Sequence, residues 1–368
     1  MAESFKDKLD TLQRIAKERT VKTQNIEYDL ETLVKKVKRN TIKLDPEYQR
    51  KYRWSEETSS RLIESLILNI PVPLIYLSQD IDVDEEAEED VARYSVIDGQ
   101  QRLTAIVNFM ENRYSLSGMD VLEDLNGSFY KDLPPFLIRR LEERTIKCLR
   151  IDSTVDSQVK YDIFERLNSG AVQLESQELR NAVYRGPFND MIKKLAKNKD
   201  FMIMVGIDID NPEVNTKVKK MEDVELVLRF FALIDNNYLN LRKGFKQFLS
   251  SEMEKMNKFD LPKLAAMEAK FMKTMSAIRT GFGDLAFAKY KDEVGEYRKM
   301  SNFNAAVYDA LSVAVEACAH NYVIDSQAVL AYKKLFSDKD FFDAISGSVN
   351  DREKVITRIE KVQGLFKS

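Results

Sequence analysis

The sequence around residue 98 reads Val96-Ile97-Asp98-Gly99-Gln100-Gln101-Arg102-Leu103-Thr104. The apolar run over 94–97 has strand character, and apolar residues at helical spacing predict a helix over 101–110. Glycine adopts positive φ without a steric penalty, so the chain can turn sharply between the two elements at Gly99. The stretch therefore predicts a strand, a tight turn and a helix in immediate succession.

This turn has the chemistry of an anion site. The first turn of a helix has free N–H groups and a partial positive charge, and phosphates bind there. Arg102 can contact phosphate oxygens in a bidentate manner, and Gln100 and Gln101 can position a water or a base edge. Asp98 can hold a divalent cation or orient a water. The same residues equally fit an ordinary capping turn, with Asp98 as the N-cap and no ligand.

Two further segments gather polar residues. Residues 45–55 combine arginines with Tyr48, Tyr52 and Trp54, a mixture found both in nucleotide-binding sites and on ordinary amphipathic surfaces. The segment 163–170 ends in Asn-Ser-Gly, which is typical of a helix C-cap, and a second helix with Glu178, Arg180 and Asn181 follows. A plain helix–turn–helix corner explains its glycine but not the concentration of polar groups.

The pattern of periodicity divides the chain near residue 152. Before it, short strand-like runs at 42–45, 74–77, 94–97 and 146–151 alternate with helical segments, whereas after it almost every periodic segment is helical. We therefore predict an α+β protein, in which an α/β domain with a small mixed sheet precedes an all-α domain. The predicted parts are an amino-terminal helix over 1–24, the α/β domain over 25–152 and the helical domain over 153–368.

Composition excludes several classes of protein. Hydrophobic residues make up 44% and charged residues 32% of the 368, which indicates a folded protein, and no apolar run is long enough to cross a membrane. Cys148 and Cys318 form no motif, so a reduced, cytoplasmic protein is expected. His320 is the single histidine, which excludes histidine-based zinc sites, a Ser-His-Asp triad and an HNH nuclease. No P-loop sequence occurs.

In combination, the three polar segments resemble the amino-terminal domain family of the GmrSD restriction endonucleases, and the resemblance covers about residues 25–190. The Asp-Gly-Gln-Gln-Arg box of residues 98–102 is its most specific motif. The other matching pieces are Tyr48-Gln49-Arg50 with Trp54, Leu66 to Leu77 with its Ile-Pro-Val-Pro, Phe164 to Gly170, and Glu178-Leu179-Arg180-Asn181.

The resemblance implies a ParB/sulfiredoxin-like fold for the first domain and nucleotide binding, often with nucleoside triphosphate hydrolysis, in defence against phage or modified DNA. By this resemblance Arg102 and the Gly99 backbone match the phosphate-gripping positions. From the chemistry of the motif we predict catalytic roles for Asp98, Gln100, Gln101 and Arg102, with Asp98 as the candidate Mg²⁺ ligand. The remaining candidate nucleotide-binding residues are Tyr48, Gln49, Arg50, Arg53, Trp54, Gly99, Thr104, Asn168, Ser169 and Gly170. Many relatives add an HNH nuclease, so with one histidine we expect a stand-alone member that works with a separate nuclease or defence protein.

Two alternatives stay open. The basic stretch from Lys35 to Arg53 fits a non-catalytic DNA-binding or adaptor module. A ParB-like nuclease would need Asp98 to share a metal with Asp45 or Glu47, and nothing in the sequence places those carboxylates together.

Overall fold

The computed structural model describes residues 22–44, 54–79, 94–152, 157–167, 175–242, 244–293, 296–318 and 324–366. The chain divides into two compact units, residues 1–173 and 174–368. The helix over 157–167 therefore falls in the first unit, although the sequence assigns it to the helical domain. The helix predicted over 1–24 lies outside the described residues except for its end, where residues 23 and 24 begin a strand.

The first unit is built on a five-stranded mixed sheet with the order β1-β5-β3-β4-β2. Neighbouring strands alternate between antiparallel pairs (β1 with β5, β3 with β4) and parallel pairs (β5 with β3, β4 with β2). The strands are β1 (Thr23–Asp29), β2 (Ile42–Lys43), β3 (Ile75–Gln79), β4 (Tyr94–Asp98) and β5 (Thr145–Ile151).

Helices cover this sheet with apolar faces that the sequence periodicity predicts. Asp29 and Ser55 cap the first two helices by accepting hydrogen bonds from Thr32 and Thr58 N–H groups, as their positions predict. Leu66 and Leu103 are fully buried in the common core. The helices are α1 (Leu30–Lys38), α2 (Glu56–Ile67), α3 (Gln100–Met110), α4 (Pro135–Glu142) and α5 (Ser157–Leu167), with 3₁₀ turns at Glu123–Leu125 and Tyr130–Asp132.

A buried carboxylate organises the loop between α3 and α4. Glu64, on α2, accepts hydrogen bonds from the backbone N–H groups of Val121 and Leu122, both at 2.8 Å, and more weakly from that of Asp120. Burial alone would raise the pKa of Glu64, but these backbone donors outweigh it and hold the pKa below its ordinary value. The ionised side chain therefore fixes a loop that has little regular structure of its own.

The second unit is mostly helical. Its helices are α6 (Ser176–Val183), α7 (Pro187–Leu195), α8 (Lys199–Met204), α9 (Thr216–Lys219), α10 (Glu222–Leu233), α11 (Phe245–Met256), α12 (Leu261–Phe282), α13 (Ala305–Cys318), α14 (Ser326–Lys334), α15 (Lys339–Ala344) and α16 (Arg352–Phe366). Short 3₁₀ helices lie at Pro212–Val214, Asn237–Asn240 and Leu335–Ser337.

Two features of this unit differ from the sequence prediction. A hairpin of β6 (Lys289–Glu293) and β7 (Glu296–Ser301) interrupts the helices, and its charged residues have no clear apolar alternation. The helix predicted over 217–235 is broken at Met221, whose φ of 56° is left-handed. Met221 is also buried, so its side chain still packs in the core at the point where the helix is broken. The apolar periodicity therefore continues through the break and does not reveal it.

The predicted α+β class is confirmed, with a mixed sheet near the amino terminus and a largely helical second unit. None of the helices in the described part of the chain is long and apolar enough to cross a membrane.

Candidate functional site at the Asp98–Arg102 turn

The predicted strand–turn–helix is present, and Gly99 forms its hinge. Strand β4 ends at Asp98, Gly99 has a φ of +97°, and α3 begins at Gln100. A Cβ at position 99 would lie 3.0 Å from Cγ1 of Ile75 on the neighbouring strand and 3.3 Å from Nη2 of Arg102. Both the backbone conformation and the close packing therefore require glycine.

The geometry excludes the simple capping explanation of the motif. The N-cap of α3 is Gly99, which has no side chain, so no side-chain cap hydrogen bond covers the helix start. The alternative in which Asp98 is the N-cap is therefore wrong. Its carboxylate instead accepts a hydrogen bond through Oδ2 from Nη2 of Arg102 at 2.9 Å. The side chain of Asp98 remains 45% exposed, and its Oδ1 has no hydrogen-bond partner in the described residues.

Arg102 is directed at the protein backbone. Its Nη1 donates to the carbonyl oxygens of Pro73 and Leu74, the latter at 3.0 Å, while Nη2 binds Asp98. The side chain is 12% exposed. Burial lowers the pKa of Arg102 below its ordinary value, and the Asp98 carboxylate offsets part of that effect, so the guanidinium stays charged. The planar guanidinium group of Arg102 therefore connects the segment before β3 to the turn through hydrogen bonds.

The other polar residues of the motif differ in accessibility. Gln100 is buried, with 8% of its surface exposed, and its Oε1 has no hydrogen-bond partner among the described residues. A buried oxygen without a hydrogen bond lowers the stability of the fold by about 1–3 kcal/mol. A donor that enters the site would recover that free energy by bonding to this acceptor. Gln101 is half-buried, and Thr104 is buried on the inner face of α3.

Among the residues that the structure describes, Asp98 belongs to no cluster of acids that could bind a metal. Within the described ranges no group of three or more histidine, cysteine, aspartate or glutamate side chains is placed to bind one. Cys148 is buried in β5, and burial raises the pKa of its thiol to about 11, so it stays protonated. The turn therefore combines an uncapped helix start with one accessible carboxylate.

Comparison with known families decides the identity of this region. Residues 30–185 match the family described as the GmrSD restriction endonuclease N-terminal domain. These residues are a GmrSD amino-terminal domain. The match supports a place for this domain in restriction systems. No curated protein and no solved structure matches it.

The GmrSD domain match extends beyond the sheet-containing unit, which ends at residue 173, into the start of the second unit. Seven of the candidate nucleotide-binding residues lie outside the described part of the chain. They are Tyr48, Gln49, Arg50, Arg53, Asn168, Ser169 and Gly170. Of the aromatic cluster, Trp54 is described, and it is partly buried and packs against the core of the first unit.

The third polar segment of the GmrSD match has a structural role that the sequence does not reveal. Arg180 is fully buried; its guanidinium donates to Gln177, Glu225, Ser250 and the carbonyl of Lys246. This cation therefore joins α6, α10 and α11 within the second unit, and its hydrogen bonds explain why polar residues gather in an apolar surrounding.

Asn181 makes a second set of contacts beside it. Its Oδ1 accepts from Nδ2 of Asn189 at 2.8 Å, and Asn257 bonds both to the N–H of Asn189 and to the carbonyl of Tyr184. Glu178 accepts from the N–H of Glu175 at the helix start. These polar contacts connect α6 to α7 and α11 within the second unit, and the sequence pattern alone does not reveal them.

The basic stretch proposed for DNA is partly neutralised where it is described. Lys35 pairs with Glu31, Lys38 pairs with Glu111, and Lys36 lies over the ring of Tyr28. The two carboxylates that a ParB-like nuclease would need, Asp45 and Glu47, lie outside the described residues.

Pro73, Leu74 and Ile75 lie in a segment that the sequence matched to the family, but the sequence assigned them no role at this site. The first two accept hydrogen bonds from Arg102, and the third closes over Gly99. Their signal in the sequence is the Pro71-Val72-Pro73 run. Prolines keep a segment out of regular structure and leave its carbonyl oxygens available to an outside donor.

Proposed function

We propose that the chain is a nucleotide-binding, nucleoside triphosphate-hydrolysing component of a prokaryotic anti-phage or modified-DNA restriction system, and that it acts as a sensor or switch with a separate effector. The observation that carries this proposal is the uncapped start of α3 beside the partly exposed carboxylate of Asp98. A helix start without a side-chain cap is a binding site for phosphate oxygens. The GmrSD domain supports the restriction-system context.

In this proposal the phosphates lie against the first turn of α3. Asp98 is the residue that would hold Mg²⁺, because its side chain is 45% exposed while Oδ2 is oriented by Arg102. Mg²⁺ binds through one or two carboxylates together with phosphates and water, so a single aspartate fits this ion without an acidic cluster. When bound, the ion would neutralise charge on the phosphates.

Arg102 acts in the proposal as a positioning residue. Two of its nitrogens already hold Asp98 and the carbonyl oxygens of Pro73 and Leu74, so its charge acts on the phosphates from behind the turn. The unpaired Oε1 of Gln100 would accept a hydrogen bond from a nucleotide hydroxyl or amine. Gln101, which is half-buried, is the candidate to position the attacking water.

The test is turnover of GTP, ATP, CTP and UTP with Mg²⁺ by the full chain and by Asp98→Asn. The matched control is Asp120→Asn, because Asp120 is also an exposed carboxylate paired with an arginine. We expect phosphate release to be lost with Asp98→Asn and retained with Asp120→Asn. A wild-type chain that neither binds nucleotide nor releases phosphate contradicts the proposal.

A further inference from the structure

A cleft that contains no residue of the Asp98–Arg102 turn is lined by the carboxyl end of α2, by α4 and by the residues that follow α4. It has a volume of about 510 Å³, within the range that holds a nucleotide-sized group. Its lining includes Phe136, Arg139, Arg140, Glu143 and Arg144. With three arginines against one glutamate, the lining has a formal charge of +2. None of these residues belongs to the motif of residues 98–102.

The arginines of this cleft lack carboxylate partners in the described part of the chain. Arg139 and Arg140 are exposed, and the guanidinium of Arg140 lies 6.0 Å from the ring centre of Phe136. Arg144 donates through Nη2 to the carbonyl of Ile70 at 3.3 Å, and its buried Nε has no hydrogen-bond partner where the chain is described. Elsewhere in the same unit, the exposed arginines Arg61 and Arg113 do pair with acids.

Helix electrostatics explains only part of this arrangement. Arg139 and Arg140 occupy the last turn of α4, where cations are favoured by the helix dipole. The dipole gives no reason for Phe136 to be 65% exposed at the start of the same helix. An exposed ring beside guanidinium groups that have no carboxylate partner among the described residues is a combination by which proteins bind single-stranded nucleic acid, through base stacking and phosphate contacts.

We propose that this cleft binds one nucleotide unit of a single-stranded nucleic acid, with its base stacked on Phe136 and the adjoining phosphates on Arg139, Arg140 and Arg144. Consecutive helical residues are rotated by about 100°, so Arg139 and Arg140 project in different directions. Separated cations suit the successive phosphates of a strand better than the concentrated charge of a free triphosphate. The site is independent of nucleotide binding at the Asp98–Arg102 turn.

The experiment measures binding of a fluorescein-labelled single-stranded oligonucleotide to the full chain by anisotropy, without nucleotide or Mg²⁺. The test variant is Arg139→Ala with Arg140→Ala. Its control is Arg61→Ala with Arg113→Ala, which removes the same charge from exposed arginines that pair with acids. We expect the test variant to bind at least tenfold more weakly, with a salt slope lower by about 1.4, and the control to bind nearly as the wild type.

Phe136→Ala separates stacking from charge. We expect it to weaken binding roughly 5- to 150-fold with an unchanged salt slope, because base stacking is independent of ion release. Thermal unfolding should be unchanged, since the ring is exposed. Three results would overturn the proposal. They are equal losses in the two double variants, no effect of Phe136→Ala, and binding of a free mononucleotide as tight as that of the oligonucleotide.

Discussion

Replacement of Arg102 tests whether the most recognisable arginine of the motif is a structural clamp. In the wild type, Nη1 binds the carbonyl oxygens of Pro73 and Leu74, and Nη2 binds Asp98. Arg102→Ala removes all of these bonds. Arg102→Lys keeps the charge, but a single ammonium nitrogen cannot reproduce the planar fork that reaches both sides.

The expected loss of stability follows from the number and burial of these bonds. A hydrogen bond to a charged group contributes about 1.5–3 kcal/mol, and bonds that share one group are not additive. Because Asp98 is partly exposed, water recovers some of the loss on its side. We therefore expect the free energy of unfolding to fall by about 2–4 kcal/mol for Arg102→Ala and by about 1–2 kcal/mol for Arg102→Lys.

Trp54 makes the measurement specific to the first unit. It is the single tryptophan of the chain and packs against the core that contains α3 and β4. Urea unfolding followed by its fluorescence reports on this unit even if the two units unfold separately. Arg113→Ala is the control, because Arg113 is exposed and pairs only with Glu111 among its carboxylate neighbours in the described residues.

One result would refute the clamp. The refuting result is a free energy of unfolding for Arg102→Ala within about 0.5 kcal/mol of the wild-type value, together with a loss of nucleotide binding. Arg102 would then contact the nucleotide directly, and its bonds to the backbone would contribute little to stability. If stability falls and the remaining folded protein still binds nucleotide with weakened turnover, the positioning role is supported.

Three further predictions concern other parts of the fold. Gly99→Ala should lower the free energy of unfolding by roughly 1–2 kcal/mol in the Trp54 assay, because alanine resists the φ of +97° and its Cβ meets Ile75; an unchanged midpoint would show that the turn can relax. Glu64→Gln should cost about 1–3 kcal/mol at neutral pH. The folded pKa of Glu64 lies below its ordinary value of 4.5, so its contribution to stability is present above pH 4.5 and is lost as the pH falls through the folded pKa. The difference in free energy of unfolding between wild type and variant should therefore become smaller in acid. A difference that does not change with pH would exclude the charge of Glu64 as its source. Asp309→Asn should destabilise the second unit by about 3–5 kcal/mol in calorimetry, because buried Arg229 and Arg358 both bind that carboxylate at 2.6 Å; a smaller loss than for Asp338→Asn, a partly exposed carboxylate paired with Lys361, would contradict this.

The sequence determined the local elements of this protein well. The caps at Asp29 and Ser55, the apolar faces of α2 and α3 and the glycine turn after β4 all follow from residues close together in the chain. Backbone conformation and helix periodicity are local properties, so neighbouring residues suffice to predict them. The Asp-Gly-Gln-Gln-Arg motif also indicated the GmrSD family, which the match over residues 30–185 confirms.

Tertiary structure alone decided what the polar side chains contact. Arg102 binds carbonyl oxygens 28 and 29 residues away, and Arg180 binds partners up to 70 residues away. Whether a polar side chain contacts a ligand or a distant backbone group depends on which elements pack against it in the fold. Spacing in the sequence does not contain that information. For the same reason the sequence predicted an arginine that grips phosphate, whereas the folded chain directs it at the segment that closes the turn.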